Sequence, residues 1–158
     1  MEQNILHFVN ASLFSDLVIL LLFYLGFFGS IPTLLKWYQE YRLSAVLADV
    51  LSVALGAIVT TKVYNLLFTD KSFLKFTTLF VVLQVMHDFV FYGLISAIPK
   101  GFKIFDLFKA YTAEQGISAI KGDSIMILLA SIFLYFSNTG SVTFLSLMYL
   151  TPYILYLK

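Results

Sequence analysis

Asp49 and Asp88 each stand as the only charged residue in a long apolar run, and His87 adjoins Asp88. An acid deep in a bilayer costs several kcal/mol unless it is paired, protonated or wetted, so each marks a functional-site hypothesis. Histidine titrates near neutrality, which suits His87 and Asp88 to sharing a proton. Gln84, Asp88, Tyr92 and Ser96 recur at four-residue spacing and form a polar stripe on one helix face. Lipid cannot satisfy such a stripe, so it must face protein or water. Ser44, Ala48, Ser52, Gly56 and Thr60 also recur every fourth residue, the small-xxx-small pattern that lets membrane helices approach closely. Asp49 lies at the edge of that small stripe, and the simplest packing sets the small stripe against the polar one.

Three chemistries fit these residues. Asp49, Gln84, His87, Asp88 and Tyr92 could hydrogen-bond across helices and lock the bundle. Asp49, His87 and Asp88 could instead carry protons or ions. An intramembrane lipid-modifying enzyme would draw on His87, Asp88, Glu114 and Asp123, although Lys121 and Asp123 read more simply as an ion pair at the membrane edge. Two histidines, with His7 read as lying outside the spans, are too few for a histidine-rich metal cage. These residues therefore point to no catalytic residues, no metal and no cofactor, and weigh against an enzyme.

The elements that must position these residues follow from composition. The chain has 158 residues, of which 60% are hydrophobic, 18% aromatic and 12% charged. Its mean hydropathy is +0.91. Soluble domains carry about 25% charged residues, so a soluble globule and a disordered chain are excluded. A net charge of +1 leaves no electrostatic footprint for nucleic acid. The absence of cysteine excludes disulfide frameworks and thiolate metal sites.

The charge-poor runs predict an all-α integral membrane bundle forming a single domain over residues 1–158. It has about five spans, near residues 12–35, 43–61, 76–98, 117–137 and 141–157, with four as the alternative. A helix needs about 20 residues to cross a bilayer core. Ser137-Asn138-Thr139-Gly140 is the turn between the last two. Asp16 is expected near the end of its span, within reach of the headgroups. Residues 102–113 read as an interfacial amphipathic helix, with Phe102, Phe105 and Phe108 in the acyl boundary and Lys103 and Lys109 toward anionic headgroups.

Five spans place Lys36, Arg42, Lys100, Lys103, Lys109, Lys121 and Lys158 on one side, and Lys62, Lys71 and Lys75 on the other. The positive-inside rule then sets the N-terminus outside or in the lumen and the C-terminus in the cytosol. Trp37, Tyr38 and Tyr41 are expected at headgroup level as an aromatic belt.

One longer pattern remains. Leu43 to Asp49 is followed by Gln84-Val85-Met86-His87-Asp88-Phe89-Val90-Phe91-Tyr92, Ile98-Pro99-Lys100-Gly101 and Asp106-Leu107-Phe108-Lys109-Ala110-Tyr111. Glu114-Gln115-Gly116, Gly122-Asp123-Ser124-Ile125-Met126 and Tyr149-Leu150-Thr151-Pro152-Tyr153 complete it. Over residues 36–157 this order resembles a group of small multi-pass membrane proteins encoded by nucleocytoplasmic large DNA viruses, algal and giant viruses included. The resemblance implies a structural or assembly component of a viral internal membrane or a host endomembrane. Its expected partners are the lipid bilayer, capsid or other membrane proteins and, as the small unit allows, a second copy of the chain. No nucleic acid is expected, and the resemblance carries no catalytic role.

Overall fold

The computed structural model describes residues 4–136. Asn4 starts the first helix by accepting the Leu6 backbone N–H on its side chain, and α1 runs Ile5–Tyr24. At 1.5 Å per residue its 20 residues reach about 30 Å, enough to cross a bilayer core. The first span is therefore displaced from the expected 12–35. Gly26 and Gly29 take the left-handed conformation at φ 80° and 75°, which terminates a helix cheaply only with glycine. Pro32 then opens a separate short helix, α2, Pro32–Tyr41, as proline does at a first helical position. This shift puts His7 inside the spanning helix, buried, with Nε2 3.2 Å from the Leu134 carbonyl oxygen. It also moves Asp16 from the expected span end to the helix interior.

Arg42, at φ 48°, makes the sharp reversal from α2 into α3, Leu43–Leu67. The hairpin to α4, Phe73–Ala97, is clamped by one phenol. Tyr64 Oη donates to the Asp70 carbonyl at 3.0 Å and accepts the Ser72 N–H at 3.0 Å. Pro99 and Gly101 turn the chain into α5, Lys103–Gln115, and α6 follows as Ser118–Phe136. The described part of the chain is thus all-helical. Four of its helices, α1, α3, α4 and α6, are long and apolar enough to span a membrane. The expected fifth span at 141–157 and the turn at Ser137–Gly140 lie outside the described residues.

The four long helices close a ring in which α1 packs on α3 and α6, and α4 packs on the same two. Neighbours run antiparallel. The start of α1 meets the end of α6 through His7 and Leu134, and the end of α3 meets the start of α4 through Tyr64 and Phe76, ring centroids 5.8 Å apart. Toward that end the ring is filled by Phe8, Ala57, Phe76, Phe80, Ile127 and Leu134. Gly56 permits this fit, because a Cβ there would lie 3.1 Å from Phe80 Cε2. At the opposite end α2 and α5 lie against one another and cover the bundle, burying Trp37, Tyr38 and Leu107 with Leu13, Leu20 and Val46. Leu51, Leu55, Val82, Met86, Phe89 and Val90 remain exposed. Apolar side chains at such positions suit a protein whose solvent is lipid.

Candidate functional site

Between the core and the α2–α5 cover lies a chamber of about 640 Å³. Its walls are mostly apolar, and each of the four spanning helices contributes one aspartate to it: Asp16 from α1, Asp49 from α3, Asp88 from α4 and Asp123 from α6. Lys121 is the one lysine or arginine among the described lining residues. Asp49 and Asp88, singled out by the sequence, therefore converge on one space.

The four carboxylates differ in how they are held. Asp49 Oδ2 accepts a 2.7 Å bond from the Tyr38 hydroxyl and a longer one, 3.4 Å, from the Trp37 indole N–H. Hydrogen bonds to a charged acceptor are the stronger kind. Asp88 Oδ1 accepts from Gln84 Nε2 at 2.8 Å and lies 3.3 Å from His87 Nδ1, while its Oδ2 is buried without a partner among the described residues. Asp16 is 1% exposed, and neither of its carboxyl oxygens has a hydrogen-bond partner among the described residues. Asp16 and Asp49 lie within reach of each other's charge, and Asp123 within reach of both Asp49 and Asp88. Buried polar groups are nearly always hydrogen-bonded, so an unpartnered carboxyl aimed into a chamber is the exception that calls for a function.

The cover is aromatic. Trp37 lies 5.0 Å from Phe108, and Phe108 meets Phe91 edge-on at 5.3 Å, measured between ring centroids. Burial, reinforced by the Asp49 and Asp16 carboxylates and by the bond to Asp49, pushes the Tyr38 phenol far above its ordinary range. Tyr38 is therefore a neutral donor at physiological pH. Tyr111 is pushed up likewise, first by burial and then by Asp123, Asp49, Asp88 and Glu114. The carboxylates that raise it lie on three spanning helices and on α5, and Tyr111 itself borders the chamber.

Several expected site residues take other roles. Gln84, His87 and Tyr92 line the chamber, with His87 half-exposed at its rim and stacked on Phe91. The small stripe is divided. Ala48 and Ser52 border the chamber, Gly56 and Thr60 pack lower in the bundle, and Ser44 is exposed. Thr60 satisfies its own hydroxyl on the Gly56 carbonyl at 2.7 Å.

On α5, Phe105 and Phe108 line the chamber. Phe102 stays exposed. Lys103 pairs with Glu40 at 3.3 Å, and Lys109 donates to the Ile98 carbonyl. Phe102 apart, the apolar face of α5 is thus turned toward the bundle. Glu114 stands apart from the chamber, accepting the Thr33 N–H at 3.1 Å and the Thr33 hydroxyl, so it ties α5 to α2. Lys121 and Asp123 do not form the expected ion pair. Residues two apart on a helix do not face one another, and each reaches the chamber separately.

The sequence pattern places Asp16, Trp37 and Tyr38 at headgroup level, whereas all three border the chamber. The signal that relocates Asp16 is Gly26, Gly29 and Pro32, which ends α1 early and shifts the span toward the N-terminus. Fold and site together define a multi-pass membrane protein, a helical bundle with an acidic chamber beneath two short helices. No protein-family model matches the chain, and no curated protein or solved structure is similar to it.

Proposed function

We propose that this protein handles cations within the membrane, holding a positively charged species in the chamber and exchanging it with protons through Asp49, His87 and Asp88. The observation that carries this reading is the convergence of Asp16, Asp49, Asp88 and Asp123 on one space. Four carboxyl groups against the single ammonium of Lys121 favour a positive guest. His87, at the rim beside Asp88, has the chemistry to relay a proton between chamber and surface. Lys36, Arg42, Lys100, Lys103, Lys109 and Lys121 cluster at the covered end, against Lys62, Lys71 and Lys75 at the other. The positive-inside rule therefore supports a cytosolic position for the chamber. Assembly of a viral internal membrane, implied by the resemblance, needs no such chamber; the enzyme reading loses Glu114 to the α2–α5 contact.

The test is reconstitution of the full chain in liposomes loaded with a pH-sensitive dye. Under an imposed membrane potential and cation gradient, wild-type protein is expected to move protons well above empty liposomes. The double variant Asp49→Asn, Asp88→Asn should lose at least tenfold of that rate. Wild-type flux no greater than that of empty liposomes, or equal flux in the double variant, overturns the proposal.

A further inference from the structure

We infer that the chamber is a binding site for an organic ammonium ion, an alkylated amine with apolar substituents. The inference rests on the cation-handling reading and names the class of cation. Three features of the site distinguish this guest from a bare metal ion.

The first is the unpartnered acid. Asp16 is 1% exposed, borders the chamber and leaves both carboxyl oxygens without a hydrogen-bond partner among the described residues. A positive group in the chamber would supply the missing counter-charge. Such a group need not donate hydrogen bonds, since charge alone compensates a carboxylate in a low-dielectric setting.

The second is the aromatic corner made by Trp37, Phe108 and Phe91. Its rings are 5.0 and 5.3 Å apart in sequence around the wall and tilted at 50° and 89° to one another, and all three residues border the space. Aromatic faces attract alkylated ammonium groups through the ring quadrupole, the recognition used by aromatic cages. They offer nothing to a divalent metal, which takes six or more oxygen ligands when it is calcium and near-ideal octahedral geometry when it is magnesium. Among the described residues no group of three His, Asp or Glu side chains is gathered closely enough to hold a metal ion. The carboxylates stand on separate walls, as suits a guest with bulk between its contacts.

The third is size and polarity. A volume of about 640 Å³ falls in the range of about 300–1,000 Å³ that small-molecule sites occupy, and apolar walls with a few placed polar groups are their usual lining. Alkyl substituents on nitrogen would fill the apolar part while the charge faces Asp16.

Trp37 is the chain's one tryptophan and borders the chamber, so its emission reports occupancy directly. Full-length protein in phosphatidylglycerol nanodiscs is titrated with hexyltrimethylammonium, with choline, and with 3,3-dimethylbutanol, the uncharged isostere of choline. Both ammonium ions are expected to change Trp37 emission saturably, and the isostere is expected to need at least a tenfold higher concentration. Asp16→Asn should weaken hexyltrimethylammonium binding at least tenfold.

A lipid headgroup and a soluble amine share this chemistry, and phosphatidylcholine nanodiscs separate them. If the headgroup is the guest, the Trp37 change is already present there and free choline competes with it. If the guest is soluble, the change appears only on titration. No saturable response to either ammonium ion, or equal response to the isostere, overturns the inference without reference to any variant. Loss of proton flux in liposomes with binding intact would remove the transport reading and leave this site standing. Flux without ammonium binding would do the reverse.

Discussion

The Tyr38 hydroxyl donates a 2.7 Å hydrogen bond to the Asp49 carboxylate, joining the short cover helix α2 to the spanning helix α3 at the wall of the chamber. Tyr38 is buried and its phenol is held neutral, so the donor persists across the physiological pH range. The bond fixes one carboxylate of the four and leaves Asp16 beside it unpartnered.

Removing that donor should loosen the cover. Tyr38→Phe keeps the ring and deletes one bond to a charged acceptor, a loss of about 1.5–3 kcal/mol. Thermal unfolding in detergent should show a lower Tm, with the Trp37 emission shifting because its indole shares the Asp49 oxygen. An unchanged Tm would show that the bond contributes no stability.

Asp16 should behave oppositely to an ordinary buried polar residue. A carboxyl without hydrogen-bond partners is a cost to folding, so Asp16→Asn should leave Tm unchanged or raise it, while ammonium binding falls. A Tm drop equivalent to more than about 3 kcal/mol, the loss typical of breaking a satisfied buried pair, would mean that Asp16 supports the fold.

Gly56 tests the contact between α3 and α4. Its position faces Phe80 Cε2, which a Cβ would meet at 3.1 Å, and Phe80 is fully buried. Gly56→Leu should cost about 1–3 kcal/mol through overpacking. Gly56→Ala should cost little, since alanine's helix preference of about 1 kcal/mol over glycine offsets the tight contact. Equal stability of the leucine variant would show that the helices are further apart.

The chain has no native cysteine, so single-cysteine labelling can separate chamber from lipid face. Ser52→Cys, in the chamber wall, should react with a small water-soluble thiol reagent. Leu55→Cys, on the exposed apolar surface, should resist it in bilayers. Glu114→Ala, which frees Thr33 and removes one of the ties between α5 and α2, should accelerate Ser52→Cys labelling. Equal rates with and without Glu114 would show that it does not restrain the cover.

Outside the membrane, Asp70 receives a 2.9 Å bond from Lys75 Nζ, which holds its carboxyl below the ordinary carboxylate range. A depressed folded pKa makes the contribution to stability present above the unfolded value of about 3.9 and lost as pH falls through the folded value. Stability should therefore show no dependence on this pair from pH 5 to 9. Carboxyl titration by NMR should place Asp70 below its ordinary value, returning to it in Lys75→Met. An ordinary value in the wild type would show that the hairpin pair does not form.

The sequence alone determined the class of this protein and the approximate limits of the spans near 43–61, 76–98 and 117–137. Charge-poor runs of about 20 residues have to be membrane helices, and Asp49 and Asp88 announce themselves because each is the only charge in its run. Helix periodicity also marked Gln84, Asp88 and Tyr92 as one face, since spacing of four is a property of a single helix. The end of α1 was written in Gly26, Gly29 and Pro32, although the uncharged run continuing to Leu35 outweighed it. Only the tertiary structure decided which faces meet. Asp16 and Asp49 lie 33 positions apart and Asp88 and Asp123 lie 35 apart, with no local pattern linking them. Their convergence depends on how α1, α3, α4 and α6 pack into a ring, and on α2 and α5 folding back over its end. Trp37, Tyr38 and Phe108 look the same in sequence whether they anchor at a headgroup or cover a chamber, because amphipathicity records that a face is buried and not what buries it.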